Sequence, residues 1–103
     1  GKQNDEVEAI LKDYENVFMI SGHVHNGFVN DRQKDIYGYA SVESDGTFHS
    51  INLPTFMYVN FRGRAANGCG YSIEVYEDEV LVRARSFTAD VWYTDYDVTI
   101  PIQ

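Results

Sequence analysis

The stretch Asn16-Val17-Phe18-Met19-Ile20-Ser21-Gly22-His23-Val24-His25-Asn26 decides how the 103-residue chain is organised, because an apolar run stops there at two histidines one residue apart. Val17, Phe18, Met19 and Ile20 predict a short buried strand over 17–21, and Gly22 predicts a sharp backbone turn at its end. The histidines are thereby expected at the C-terminal mouth of a strand. A His-x-His pair on a loop can aim two imidazoles into one cavity, and neutral imidazole is the commonest metal ligand near neutral pH. A catalytic zinc takes about three protein ligands and a dinuclear centre more, so these two side chains supply only part of a site.

Upstream of this strand, Val7, Ile10, Leu11 and Tyr14 fall at i, i+3, i+4 and i+7. That spacing predicts one helix over 5–14 with a single apolar stripe that packs on a sheet. Asn4 is placed to cap it, and Asp5, Glu6 and Glu8 lie in the first turn, where the helix dipole favours anions. Glu15-Asn16 then hands the chain to the strand. A helix feeding a buried strand is an α/β feature.

With that helix before it, the block Gly22-His23-Val24-His25 resembles the last conserved Gly-His-x-His block of the calcineurin-like metallophosphoesterases. The later run Gly70-Tyr71-Ser72-Ile73-Glu74-Val75-Tyr76 and a closing strand are similar to the C-terminal sheet of that family. The resemblance implies a two-sheet sandwich with helices outside and a two-metal site that hydrolyses phosphoesters. It makes His23 the ligand of one metal and His25 the ligand of the other, the residues that carry catalysis here. Gly22 shapes the turn, and Asn26 orients His25 from behind. The family's other blocks, Asp-x-His, Gly-Asp, Gly-Asn-His and a further single His, are not in this chain. Their ligands are therefore expected upstream of Gly1, with residues 1–103 as one truncated, C-terminal part of a larger phosphoesterase domain.

Composition bounds these expectations. A chain of 103 residues is one domain at most and buries about two-thirds of its unfolded surface. Hydrophobic residues at 44% and aromatics at 15% are too rich for disorder. No apolar run approaches the ~20 residues of a membrane span, and the start lacks the apolar core of a signal peptide. A soluble protein with no membrane partner is expected, its compartment unreadable. The net charge of −8 argues against a nonspecific nucleic-acid surface, which needs basic patches. It would also repel a phosphoester unless divalent metals reverse the local field. Cys69 is the single cysteine, so neither an internal disulfide nor a cysteine-based zinc site is available, and an inert thiol is expected.

Downstream, residues 26–35 carry little apolar material and predict a solvated loop beside the histidines, with Asp31 and Asp35 as surface acids in preference to metal ligands. Asp45-Gly46 predicts a hairpin between 39–43 and 47–53 with Ser44 opposite Thr47, which sets Val42 opposite His49. One face then holds Ala40, Val42, His49, Ile51 and Leu53, so His49 is expected to be a hydrogen-bonded core residue. Residues 55–61 are β-prone, and the glycine-containing stretch 62–70 reads as a flexible loop in which Arg62 and Arg64 could grip a phosphoryl oxygen. Alternation over 71–76 and 80–85 predicts a second hairpin turning at Glu77-Asp78, with Val75 opposite Val80, Ile73 opposite Val82 and Tyr71 opposite Ala84. Residues 89–93 predict a turn with Trp92 on the sheet, and 96–102 a last, edge strand because of Pro101.

These expectations describe an α/β, β-rich chain with one helix, forming the C-terminal part of a metallophosphoesterase-type two-sheet sandwich. The function implied by the resemblance is hydrolysis of phosphomono- or diesters by a water activated between two divalent metals, Mn, Fe or Zn. The isolated chain is expected to be inactive, with the two metals belonging to the complete enzyme and none necessarily bound here, and to form a homodimer through unpaired edges. The alternative is a noncatalytic β-rich interaction module in which His23 and His25 are turn residues. A small protein that builds a metal site between copies is a further possibility.

Overall fold

The computed structural model describes residues 3–11, 13–22, 26–45, 48–56 and 68–102, which form a strand-rich mixed α/β domain with two sheets and few helices. Helix α1 spans Asn4–Leu11 and strand β1 spans Val17–Ser21. The helix is shorter than its apolar periodicity predicts. Its last turn tightens, with the amides of Asp13 and Tyr14 bonding back three residues to Ile10 and Leu11, and Asn16 then takes a left-handed φ of 56°. Asparagine tolerates that conformation better than most residues, so the chain reverses there and enters β1.

β1 lies parallel to β3 (Phe48–Asn52), and β3 pairs antiparallel with β2 (Val42–Asp45), giving the order β1-β3-β2. The expected buried strand is in fact an edge strand. Met19 is 40% and Ile20 53% exposed, although they point to opposite faces, because no described strand flanks β1 on its outer side. The β2–β3 register also differs from the expected one: Ser44 stands opposite His49 and Val42 opposite Ile51, a slip of two residues. A two-residue slip preserves faces, so Val42, His49 and Ile51 are still buried together.

The second sheet is built on β5 (Glu79–Ser86), paired on one side with β4 (Cys69–Val75) and on the other with β6 (Val91–Trp92) and β7 (Val98–Pro101). The predicted register holds, with Val75, Ile73 and Tyr71 opposite Val80, Val82 and Ala84. The Tyr76 amide closes the turn on the Glu79 carbonyl at 2.8 Å. β4 starts at Cys69, earlier than alternation suggests, and Cys69 is buried. Along β5 the inward Val80, Val82, Ala84 and Ser86 are buried, and the outward Arg83 and Arg85 stack over Trp92 at 3.9 and 4.5 Å from its ring centre. The two sheets pack face to face through Val42 and Ile51 on one side and Val80, Val82 and Ile100 on the other. β7 is shorter than predicted, and Pro101 takes its place on an edge opposite Glu79.

The predicted loop over 26–35 is ordered structure. Asn30 and Gln33 form a reciprocal capping box around a short 3-10 helix, Asp31–Gln33, which runs into helix α2, Lys34–Tyr37. Gly38, at a φ of 86°, ends α2 by returning its amide to the Lys34 carbonyl. A second 3-10 turn, Thr94–Tyr96, precedes β7, so the single-helix expectation is corrected. The predicted apolar stripe is only partly covered: Leu11 is half-buried, whereas Ile10 is 63% exposed and Val7 and Tyr14 are exposed as well. Among the described residues no helix is long and apolar enough to cross a membrane. The β-prone residues 57–61, together with Arg62 and Arg64, lie outside the described residues.

Candidate functional site

His23 and His25 lie outside the described residues, and both shoulders of the segment that carries them are fixed. On the upstream side, β1 delivers Ser21, whose carbonyl accepts the Leu53 amide at 2.7 Å. On the downstream side, the Asn26 carbonyl accepts the Thr55 amide at 2.7 Å. The same short stretch, residues 53–55, therefore holds the chain two residues before His23 and one residue after His25. Parallel pairing of β1 with β3 is what brings this stretch alongside, since both strands end together.

The downstream shoulder is anchored further. Asn26 is buried and donates its Nδ2 to the Tyr39 hydroxyl at 2.7 Å. Two residues on, Phe28 is fully buried among Tyr71, Tyr93 and Tyr96, with ring centres 5.0, 6.0 and 5.8 Å away. Val29 exchanges hydrogen bonds with Ser41, amide to Oγ at 2.8 Å and carbonyl to amide at 2.9 Å. A polar-looking segment, Asn26 to Val29, is thus folded into the sandwich by one phenylalanine and one buried serine. Burial of Tyr71 in this nest pushes its hydroxyl pKa well above the ordinary value, so it is a neutral phenol at any physiological pH.

Gly22 does not behave as expected. Its φ lies outside the left-handed region, and a Cβ built on it would meet nothing within 4 Å. The backbone turn there needs no glycine. Among the described residues, the glycine leaves open space at the end of β1. The described side-chain partner of Asn26 is Tyr39, and the expected contact with His25 lies outside the described residues.

A cavity of about 470 Å³ opens on the outer face of the first sheet, between α1 and the strands, and Val7, Met19, Phe48, Tyr39, Ser21 and Asn52 form part of its wall. Its wall thus includes Ser21 and Asn52, which pair at the C-terminal ends of β1 and β3 where the histidine segment begins. Asn52 Oδ1 is buried and meets no hydrogen-bond partner among the described residues, which leaves one acceptor there. Lys34 also borders this cavity and pairs with Glu43 at 2.6 Å, a contact that raises the lysine pKa.

The remaining candidates do not join the histidines. His49 is 1% exposed between the sheets, with Nδ1 2.6 Å from Ser44 Oγ and its ring 4.7 Å from that of Phe18. It is the core residue its apolar face predicts. Burial lowers its pKa, so the imidazole is held neutral. Asp31 and Asp35 are exposed on the short helices. Among the described residues no three His, Cys, Asp or Glu side chains are grouped so as to hold a metal ion. The roles of Tyr39, Phe28 and Ser41 in fixing the segment had no signal in spacing, though the Asn30-x-x-Gln33 capping box was readable. No known family model, curated protein or solved structure matches the chain.

Proposed function

We propose that these residues are the C-terminal segment of a calcineurin-like metallophosphoesterase, inactive alone, in which His23 and His25 each bind one of two divalent metals, Mn, Fe or Zn. The observation that carries this reading is the double anchoring of the segment between Ser21 and Asn26 on residues 53–55. A Gly-His-x-His sequence fixed on both sides at a strand end can hold two imidazoles without the entropy cost of ordering a loose loop. The order of elements supports it too: helix, strand, histidine segment, then a β-rich remainder in two sheets packed face to face with α1 outside.

Bound divalent metals would neutralise phosphoryl charge and acidify water, which a chain of net charge −8 could not do for an anionic substrate by itself. The chain's own part is to anchor the backbone on both sides of the segment that carries the imidazoles. β1 and Ser21 fix the approach to His23, and Asn26, tied to Tyr39, fixes the exit from His25. The other ligands come from outside residues 1–103. Assay of this chain with a chromogenic phosphodiester and Mn or Zn tests the division of labour. No appreciable turnover is expected, since two nitrogens fall short of the roughly six or more protein contacts of a two-metal site. Robust turnover that disappears in His23→Ala would overturn it.

A further inference from the structure

The cavity of about 470 Å³ has its floor on the outer face of the first sheet, and strand pairing sets that floor in rows. Met19, Ser50 and Glu43 stand side by side across β1, β3 and β2, and Ser21 stands beside Asn52 at the strand ends. Side chains alternate faces along a strand, so Phe48, Ser50 and Asn52 share this face while His49 and Ile51 fill the core. Ser50 is the small residue in the middle of the floor, and room opens above it. Val7 of α1 borders the space on one side, and Lys34 and Tyr39 border it on another. Its lining is divided: Val7, Met19 and Phe48 give an apolar flank, whereas Glu43 and Asp45 of β2 give a charged one. Small-molecule sites span ~300–1,000 Å³ and combine apolar walls with a few polar groups in this way. Ser21, at the upstream shoulder of the histidine segment, and Tyr39, which holds Asn26 at the downstream shoulder, both line the cavity.

We infer that, given the phosphoesterase reading of the histidine segment, this cavity receives the organic group of the phosphoester, and that the group is uncharged or cationic with an apolar flank. Position selects the occupant: the same two residues that fix the shoulders of the segment wall the cavity, so an ester held at the histidines has this space beside it for its alcohol half. Charge sets the class. Glu8, Glu43 and Asp45 line the cavity against Lys34 as the one cation among the described residues of its wall, and Lys34 is paired with Glu43 at 2.6 Å. A second anionic group on the substrate meets carboxylates there and finds no unpaired cation among those residues, which rejects it as effectively as a favourable contact would select it. The apolar flank of Val7, Met19 and Phe48 suits an aryl or alkyl surface.

Titration of the chain with phenethylamine, phenethyl alcohol and phenylacetate, followed by amide NMR, tests the cavity without metal or turnover. The amine and the alcohol should bind saturably and shift the amides of Met19, Ser50 and Asn52, with phenylacetate at least roughly 5-fold weaker. Ser50→Leu, which fills the floor, should abolish this binding with cooperative melting retained. Glu43→Gln, which removes the carboxylate from Lys34, should raise the affinity for phenylacetate. In the full-length protein with Mn, Ser50→Leu should raise KM for methyl para-nitrophenyl phosphate by ~10-fold and leave kcat near its original value, because the contact is made in ground state and transition state alike. No saturable binding, phenylacetate bound as tightly as the amine, or a folded Ser50→Leu that binds unchanged would overturn the inference. So would metal-dependent turnover whose KM ignores Ser50→Leu, a result that leaves the phosphoesterase reading standing. Ligand bound in the cavity of a full-length protein that has no metal-dependent turnover would instead overturn that reading, and with it the assignment of the cavity to a phosphoester.

Discussion

His49 Nδ1 lies 2.6 Å from Ser44 Oγ across the β2–β3 pair, while His49 Nε2 is buried and meets no hydrogen-bond partner among the described residues. Whichever ring nitrogen carries the proton, one polar atom is left unsatisfied, and a second proton would place a cation between two apolar sheet faces. Burial accordingly holds the pKa below its ordinary 6.5.

The sign of the pH effect follows. The unfolded chain binds a proton on this residue more readily than the folded one, so the contribution of neutral His49 is fully present above about pH 6.5 and is lost as pH falls from there through the folded-state value. Urea unfolding at about pH 7.5 and about pH 5 should show stability falling with acid by at most ~1.4 kcal/mol per pH unit from this group. His49→Leu should flatten that part of the profile, and an unchanged slope would contradict it.

His49→Ala should act on stability and not on chemistry, costing about 2–4 kcal/mol through the cavity it leaves and the partner it strips from Ser44. Thermal melting checks this. An unchanged melting point together with loss of the proposed phosphoesterase activity in the full-length protein would show that a ligand had been mistaken for a core residue.

Two glycines should respond in opposite ways. Gly68 has a φ of 77°, and a Cβ there would lie 2.6 Å from Thr88 Cγ2, so Gly68→Ala should destabilise by about 1–3 kcal/mol. Gly22→Ala has open space and no left-handed φ to fight, so it should change stability by no more than ~0.5 kcal/mol. Denaturant midpoints of the two variants decide it.

The Asn26 to Tyr39 bond should be worth a measurable coupling. Tyr39→Phe leaves the buried Asn26 amide without that acceptor and should cost about 1–2 kcal/mol, Asn26→Ala a similar amount. The double variant should cost clearly less than the two single losses combined, because both remove one interaction. Full additivity would mean that the bond does not hold the downstream shoulder.

Much of this architecture was legible because it rests on local pattern. The strand over 17–21 comes from a short apolar run and the hairpin at Glu77-Asp78 from alternation, and the structure keeps both, down to Val75 opposite Val80. Where Asp45-Gly46 misled by two residues, the face assignment survived, since the strand repeat is two. What failed depended on tertiary context. Phe28 looked stranded in a polar loop and is instead the centre of an aromatic nest built from Tyr71, Tyr93 and Tyr96, all distant in sequence. Met19 and Ile20 read as buried because apolar composition does not reveal whether a neighbouring strand is present. For His23 and His25 the sequence offered a motif, whereas the contacts that anchor the chain on either side, Leu53 to Ser21 and Thr55 to Asn26, are marked by none.

The proposed role of His25 as a metal ligand in a phosphoesterase is tested most directly by turnover of a chromogenic phosphodiester with Mn by the full-length protein, with and without His25→Ala. The variant should lose several orders of magnitude in kcat and melt at the same temperature, because the side chain would support a metal and not the core. A complete protein with no metal-dependent turnover, or a His25→Ala enzyme as fast as the unmodified one, would contradict the account.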